Sequence, residues 1–385
     1  MLTKKVVTAT LVAIIVIAAV VASLYYSFFY DKNLHTGKVE ETPSYIIVTD
    51  AANRTIEIPA NLSRVVAIGP GALRLVVYLN ATDLLVGVEE VEVTRDPTGK
   101  DYAMAQYNTL KNLPIVGPGG PNNPPDPEKL RAVKPQLIIM SGTYAQLYPP
   151  DRLAEEVNAS VLVIDYGTAG YLDVETLKNA LLILGKALGR EERAKNLANY
   201  IDQIVSDLNN RTRGIDPRPK VYVGAISYKG GQPFTSTQAR FAPLQLLNTP
   251  SIVDSVAGKA GYMSIDFEYL VQQQPDFVFI DENNLNIVLS DYSKDPSRYC
   301  SLNAFRTGRV YGVLPFNYYH TNIATAFANA YFIGKVLYPD RFADVDPVVK
   351  ADEIFTMFVG KPIYQGFING GYKGFVNLSG LFPCG

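Results

Sequence analysis

Apolar residues in this chain come in short uninterrupted runs, separated by turn residues and by longer stretches of helical spacing. Arg64-Val-Val-Ala-Ile-Gly69 reads as a buried strand, and Leu73 to Leu79 as the helix after it. Gln136-Leu-Ile-Ile-Met140 and Val161-Leu-Val-Ile-Asp165 read as further buried strands. Strands without polar alternation, interleaved with helices, predict a parallel layer covered on both faces. From Asp173 to about Thr212 the period changes. Leu177, Leu181, Leu184 and Leu188 follow helical spacing, Gly189 interrupts it, and Leu197, Ile201, Ile204 and Leu208 continue it. After a Gly/Pro-rich break from Arg213 to Pro219, strands are predicted again at Lys220–Gly224, Asp276–Ile280 and Arg309–Val313. Ile323 to Leu337 reads as an apolar helix, and Pro347 to about Phe358 as an amphipathic one.

The two strand-bearing parts contain an internal repeat. Glu128-Lys-Leu-Arg-Ala-Val-Lys-Pro135-Gln-Leu-Ile-Ile-Met aligns with Glu268-Tyr-Leu-Val-Gln-Gln-Gln-Pro275-Asp-Phe-Val-Phe-Ile. Each reads as a short helix stopped by Pro and feeding a buried strand. The alternative is coincidence between two ordinary helix–Pro–strand units.

At the N-terminus, Lys4 and Lys5 precede an uncharged run from Val6 to Tyr30, long enough to cross a bilayer as a helix. Lysines on the short side predict that this end stays in the cytoplasm and the rest is exported. A cleaved signal peptide is the rival reading. The expected organisation is an anchor or signal segment at 1–30, a polar stalk at 31–44, an α/β lobe at 45–172, a connecting helical region at 173–213 and a second α/β lobe with a terminal helix at 214–385. Six Asn-x-Ser/Thr sequons, at Asn53, Asn61, Asn80, Asn158, Asn210 and Asn377, fit an exported chain as candidate glycosylation sites.

Composition narrows the function. Lys plus Arg is 35 and Asp plus Glu is 37, which lacks the basic excess of a nucleic-acid binder. Two histidines, His35 and His320, and two cysteines cannot build a multi-Cys or His-rich metal cage, so no resident metal or cofactor is expected. Outside the cell, Cys300 and Cys384 would pair as a disulfide; the alternative is two separate buried thiols. The chain has 25 tyrosines and no tryptophan, a composition suited to large, partly polar ligands.

Several segments together resemble the class III substrate-binding proteins of ABC importers, the family that binds ferric siderophores, haem and vitamin B12. They are Ile46 to Pro59, Arg64-Val-Val-Ala-Ile-Gly-Pro-Gly-Ala-Leu-Arg74, Val86-Gly-Val-Glu89, Val116-Gly-Pro-Gly-Gly120, and Pro127 to Pro135 with its repeat. The resemblance covers about residues 45–365. It implies two Rossmann-like lobes joined by one long helix at 190–212, with the ligand between them. It also implies that Glu128 and Glu268 dock, one per lobe, onto arginines of a permease dimer that works with its ATPase. Each of the two also reads as an ordinary charge in the first turn of a helix.

Strand ends supply the ligand candidates. Gly71 and Arg74 lie in the loop after the first strand; Arg74 reads equally as a structural arginine. Arg95 and Tyr102 follow in a loop expected at the cleft, or simply solvated. Gly117 to Gly120 reads as a tight turn. Tyr228 follows another strand end. Arg240, with the hydroxyls of Thr235-Ser-Thr237, would hold oxyanions or merely cap a helix. Tyr318, Tyr319 and His320 would stack on a chelate, with His320 as a rim residue rather than a metal ligand.

The expected function is therefore extracytoplasmic capture of an iron-siderophore, haem or corrinoid-type chelate, on the outer face of a membrane. A molybdate- or tungstate-type oxyanion is the alternative ligand. A structural or adhesive surface protein is the alternative without transport. The chain has no Gly-x-Ser-x-Gly, His-Glu-x-x-His, Walker or Ser-x-x-Lys motif, which argues against an enzyme.

Overall fold

The computed structural model describes residues 14–28, 44–94 and 96–385. Residues 14–28 form a helix, and among the described residues no helix is long and apolar enough to cross a membrane. The expected span from Val6 to Tyr30 runs past that helix at both ends, and the stalk at 31–43 lies outside the described residues. Tyr45 to Gly385 form a separate, single compact unit.

That unit opens with an antiparallel hairpin of β1 (Tyr45–Thr49) and β2 (Thr55–Pro59). Asp50 closes its turn by accepting from Ala52 N and Arg54 N, both at 2.9 Å. A parallel sheet follows, made of β3 (Val65–Ile68), β4 (Leu85–Gly87), β5 (Leu137–Ser141) and β6 (Ser160–Ile164) in the order β4-β3-β5-β6. In the second half, β7 (Val221–Gly224), β10 (Phe277–Asp281) and β11 (Val310–Val313) form another parallel sheet, ordered β11-β10-β7. Beside it, β8 (Ser236–Ala239) and β9 (Gly261–Ser264) pair antiparallel. The loop expected to hold oxyanions at 235–240 is thus mostly strand. Its hydroxyls turn inward: Ser236 Oγ donates to Ile226 O and Thr237 Oγ1 to Val223 O.

Successive side chains of a strand point to opposite faces, and here the two faces meet different cores. Val65, Ala67, Leu137, Ile139, Leu162 and Ile164 share one large core with Val223, Phe279 and Val313 of the second sheet. The alternate residues Val66, Ile68, Ile138 and Met140 pack into a smaller cluster of the first half. Tyr222, Val278 and Ile280 do the same in the second half. Cys300 and Cys384 form a disulfide at the edge of that last cluster.

Between the sheets in sequence lie the helices Val174–Ala187 and Glu191–Thr212. Asp173 caps the first through Thr176 N at 3.1 Å. Gly189, at φ 64, supplies the left-handed residue that ends it. The second helix has 22 residues, about 33 Å at the usual rise. Ala194, Leu197, Ile201, Ile204 and Leu208 form its buried stripe. The helices approach closely at Gly185, where a Cβ would sit 2.4 Å from that of Ala194.

The internal repeat is present in three dimensions. Helices Pro127–Ala132 and Phe267–Gln273 each feed a central strand, β5 or β10. The residues before the two prolines, Lys134 and Gln274, both take positive φ, 45 and 47. The residues after them brace the neighbouring strand in the same way. Gln136 accepts from Arg64 N, and Asp276 accepts from Lys220 N.

Candidate functional site

The carboxyl ends of the first sheet meet the segment 317–322, which follows β11, along a buried polar seam. Arg74 is the cation at its centre and is fully buried. Its Nε donates to Asp101 Oδ1 at 3.2 Å and its Nη1 to the Tyr166 hydroxyl at 3.1 Å. Its Nη2 reaches the other half, donating to Asn322 Oδ1 at 2.7 Å and Tyr318 O at 3.1 Å. Burial works against the charge, but Tyr166 and Asp101 outweigh it and hold the guanidinium protonated. The two glycines before Arg74 make room for this packing. A Cβ at Gly71 would fall 2.0 Å from the Tyr166 hydroxyl, and one at Gly69 2.2 Å from Ser141 Oγ.

Glu89, just past β4, supplies a second tie. Its Oε2 accepts from Gly69 N at 2.9 Å and from the Tyr319 hydroxyl at 2.8 Å. That hydroxyl in turn accepts from Gly120 N at 2.9 Å, which gives the 117–120 turn its place. Burial pushes the Glu89 carboxyl up to about 7, with Glu92 adding to the effect. Tyr319 and His320 are consecutive residues at positive φ, 55 and 86, a strained arrangement for side chains with a Cβ. Contacts from both halves hold it. Tyr318 N donates to His320 O at 3.0 Å, and the Tyr166 ring lies 4.4 Å from the His320 ring. Burial lowers His320 to about 3, and Arg74 adds to that, so the ring is neutral.

The expected site residues separate into groups. Gly71, Arg74, Tyr318, Tyr319 and His320 come together in the seam. Tyr102 is fully buried beneath it, with its hydroxyl on Glu92 and the Arg74 guanidinium 4.7 Å over its ring. Tyr228 is at the surface, stacked on Tyr262 at 4.3 Å, with Lys229 Nζ 5.6 Å from its ring. Arg240 is exposed at φ 53, and its backbone N donates to Asp254. Arg95 lies outside the described residues. Glu128 and Glu268 are both exposed in the first turn of their helices. All six sequon asparagines are exposed, although Asn377 Nδ2 donates to Gly308 O.

Several seam residues were missed in the sequence: Glu89, Tyr166, Gln238, Asn317 and Asn322. Glu89 and Gln238 lie inside segments already singled out, and Asn317 and Asn322 flank the Tyr318 to His320 group. Tyr166 follows β6, and the strand-end rule that picked Arg74 would have found it. Among the described residues no cluster of three or more His, Cys, Asp or Glu is arranged to hold a metal ion. A surface cavity of about 510 Å3, floored by Phe234, Phe267 and Tyr299, is lined by Thr235 but by none of the other expected ligand residues. It lies apart from the polar chemistry of the seam.

Residues 65–315 match the protein-family model described as periplasmic binding protein. The chain is 22% identical over 379 residues to the molybdate-binding protein MolA of Haemophilus influenzae, covering 89% of this chain and 95% of that protein. In structure it is similar to a periplasmic solute binding protein of Veillonella parvula, with TM-score 0.67 at 16% identity over 88% of this chain and all of the other. Molybdate-bound MolA gives 0.64 at 18% identity over 82% of this chain and 98% of its own. The periplasmic haem-binding protein HutB of Vibrio cholerae gives 0.52 at 17% identity over 72% of this chain and all of its own. At these identities the structural likeness shows the fold.

The Glu89 carboxyl makes a pH prediction. Its affinity for a proton is higher in the folded chain, about 7, than at its ordinary value of 4.5. Its contribution to stability is therefore complete below the lower value and is lost as pH rises through the higher one. Asp281 and Glu282, raised by burial to about 7 and about 8, act in the same direction. Glu89→Gln should therefore reduce, without abolishing, the fall in melting temperature between about pH 5 and 8. An unchanged slope in the variant would show that Glu89 stays ionised in the fold.

Proposed function

The chain belongs to the periplasmic binding protein family, among the class III substrate-binding proteins of ABC importers, and on that premise we propose that it captures an organic metal chelate. The chelate class is iron-siderophore, haem or corrinoid. The observation that carries this reading is the seam itself, in which loops at the carboxyl ends of parallel strands bring polar and aromatic groups from both halves together. That is where open α/β sheets bind ligands. The two halves act as lobes, 45–172 and 214–385, and the helix Glu191–Thr212 limits how far they swing apart. Capture is non-covalent, with no chemistry performed on the ligand.

A second ligand, a molybdate- or tungstate-type oxyanion, is favoured by one observation: the relative matched over 89% of this chain is named for binding molybdate. Native mass spectrometry of the full chain, released from detergent, separates the two. The expected result is a 1:1 adduct with one member of a panel of ferric siderophores, haem and cobalamin. An adduct with molybdate alone would replace the ligand and keep transport. No adduct from a folded sample would remove the capture reading.

Delivery follows from the two exposed carboxylates. Glu128 and Glu268 stand at equivalent positions of the repeat, which suits a permease built of two like subunits. The double substitution Glu128→Ala, Glu268→Ala should leave ligand affinity within about twofold and lower uptake by tenfold or more, an effect typical of lost interfacial charge pairs. Wild-type uptake by the double variant would exclude this docking role.

Retention of the uncharged N-terminal run as a membrane anchor completes the proposal. The full chain should sediment with membranes and leave them in detergent but not in high salt. A mature chain found free of membranes and lacking its first residues would favour the cleaved signal.

A further inference from the structure

The seam carries a second feature that its latch of Arg74 and Glu89 does not use. Among the described residues, Gln238 Oε1, Asn317 Oδ1 and His320 Nδ1 are buried without a hydrogen-bond partner. Gln238 is fully buried and Asn317 is 8% exposed. Which end of each amide is the oxygen is settled by its nitrogen. Gln238 Nε2 donates to Ala239 O at 3.3 Å, and Asn317 Nδ2 donates to Ser227 O at 3.2 Å. Turning either amide over would set oxygen against oxygen. His320 is neutral because burial lowers its pKa to about 3, with Arg74 adding to the effect. Its buried Nδ1 has no hydrogen-bond partner, so the ring adds an unmatched polar atom beside the two amide oxygens.

The Gln238 and Asn317 amides are neighbours under one backbone segment. Gly170, at φ 88, comes over them from the first half, and its N donates to Thr321 Oγ1 at 2.8 Å. A Cβ on Gly170 would lie 2.5 Å from Gln238 Oε1 and 3.1 Å from Asn317 Nδ2. The His320 ring is held against Tyr166, four residues before Gly170. The guanidinium of nearby Arg74 donates to Asp101, Tyr166, Tyr318 and Asn322. The seam therefore presents the amide lone pairs of Gln238 and Asn317, while the charge of Arg74 is already engaged within the protein. A buried acceptor left unpaired is unfavourable, and a ligand that brings an N–H or O–H removes the penalty.

We propose that Gln238, Asn317 and His320 form the selectivity element of the seam, and that it selects ligands carrying hydrogen-bond donors, such as the amide, amine or hydroxyl groups of an organic chelator. This rests on the capture reading above and deepens it. A bare oxyanion, which offers only acceptors, meets lone pair with lone pair here, and so does haem through its propionates.

Isothermal titration calorimetry on the full chain in detergent tests this with four probes. Cyanocobalamin and ferrioxamine carry amide donors; molybdate and haem present acceptors. The expected result is binding of a donor-bearing probe and none of molybdate or haem. Gln238→Met, of nearly the same shape but with no acceptor, should weaken that binding by about tenfold or more. Gln238→Glu, which keeps an acceptor, should recover part of the loss. A thermal melt of each variant establishes that it is folded. Binding of molybdate or haem, unchanged or tightened by Gln238→Met, would overturn the selectivity element and leave capture standing. Failure of all four probes to bind the folded wild-type chain would overturn both.

Discussion

Holding a guanidinium out of water costs several kcal/mol unless its donors are met, and the seam of this protein is organised around meeting those of Arg74. Each partner comes from a different part of the chain. Asp101 and Tyr166 belong to the first half, and Tyr318 and Asn322 to the second. Asn322 is itself fixed by donating to Gly99 O and Pro315 O. Arg74 can therefore satisfy its donors only when the two halves are in register. The positive-φ pair Tyr319–His320 follows from the same constraint. The turn must bring the Tyr318 carbonyl to Arg74 and the Tyr319 hydroxyl to Glu89 across a few residues, and extended backbone would not do both.

The cores let those contacts form without making the halves inseparable in design. One face of each parallel sheet packs into the shared core, and the other into a cluster of its own. The long helix Glu191–Thr212 joins the two sheets in sequence and buries a single stripe. A helix resists bending far more than an extended linker does. On the proposed division into lobes, motion between them is expected to be small, which favours groups already placed. The strained 319–320 turn is one such group, held by contacts from both sides rather than by its own backbone preference.

Charge is used sparingly at this site. Arg74 is paired, Glu89 is poised near neutrality by burial, and His320 is neutral. What remains to meet a ligand is mostly the amide lone pairs of Gln238 and Asn317. Such a site distinguishes ligands by where their protons are, which is more selective than attraction to a bare charge because an unmatched acceptor is penalised on both partners.

Much of the fold was legible in the sequence because it depends on local period. Uninterrupted apolar runs marked the parallel strands, and their alternating side chains went to two different cores as a sheet buried on both faces requires. The helix Ile323–Leu337 has the bounds its apolar run suggested. The repeat around Pro135 and Pro275 is visible in both sequence and backbone. Less legible was β8, whose polar residues read as loop, although Ser236 and Thr237 turn their hydroxyls onto the Ile226 and Val223 carbonyls. For the site, sequence alone determined which segments follow strand ends, and so brought Arg74 and Tyr318 to His320 into view. Only the tertiary structure decided that Arg74 is spent on a latch, that Tyr102 lies beneath it, and that Gln238 and Asn317 are left with unpaired oxygens. A side chain's chemistry is written in the sequence, but whether its donors and acceptors are already taken depends on neighbours hundreds of residues away.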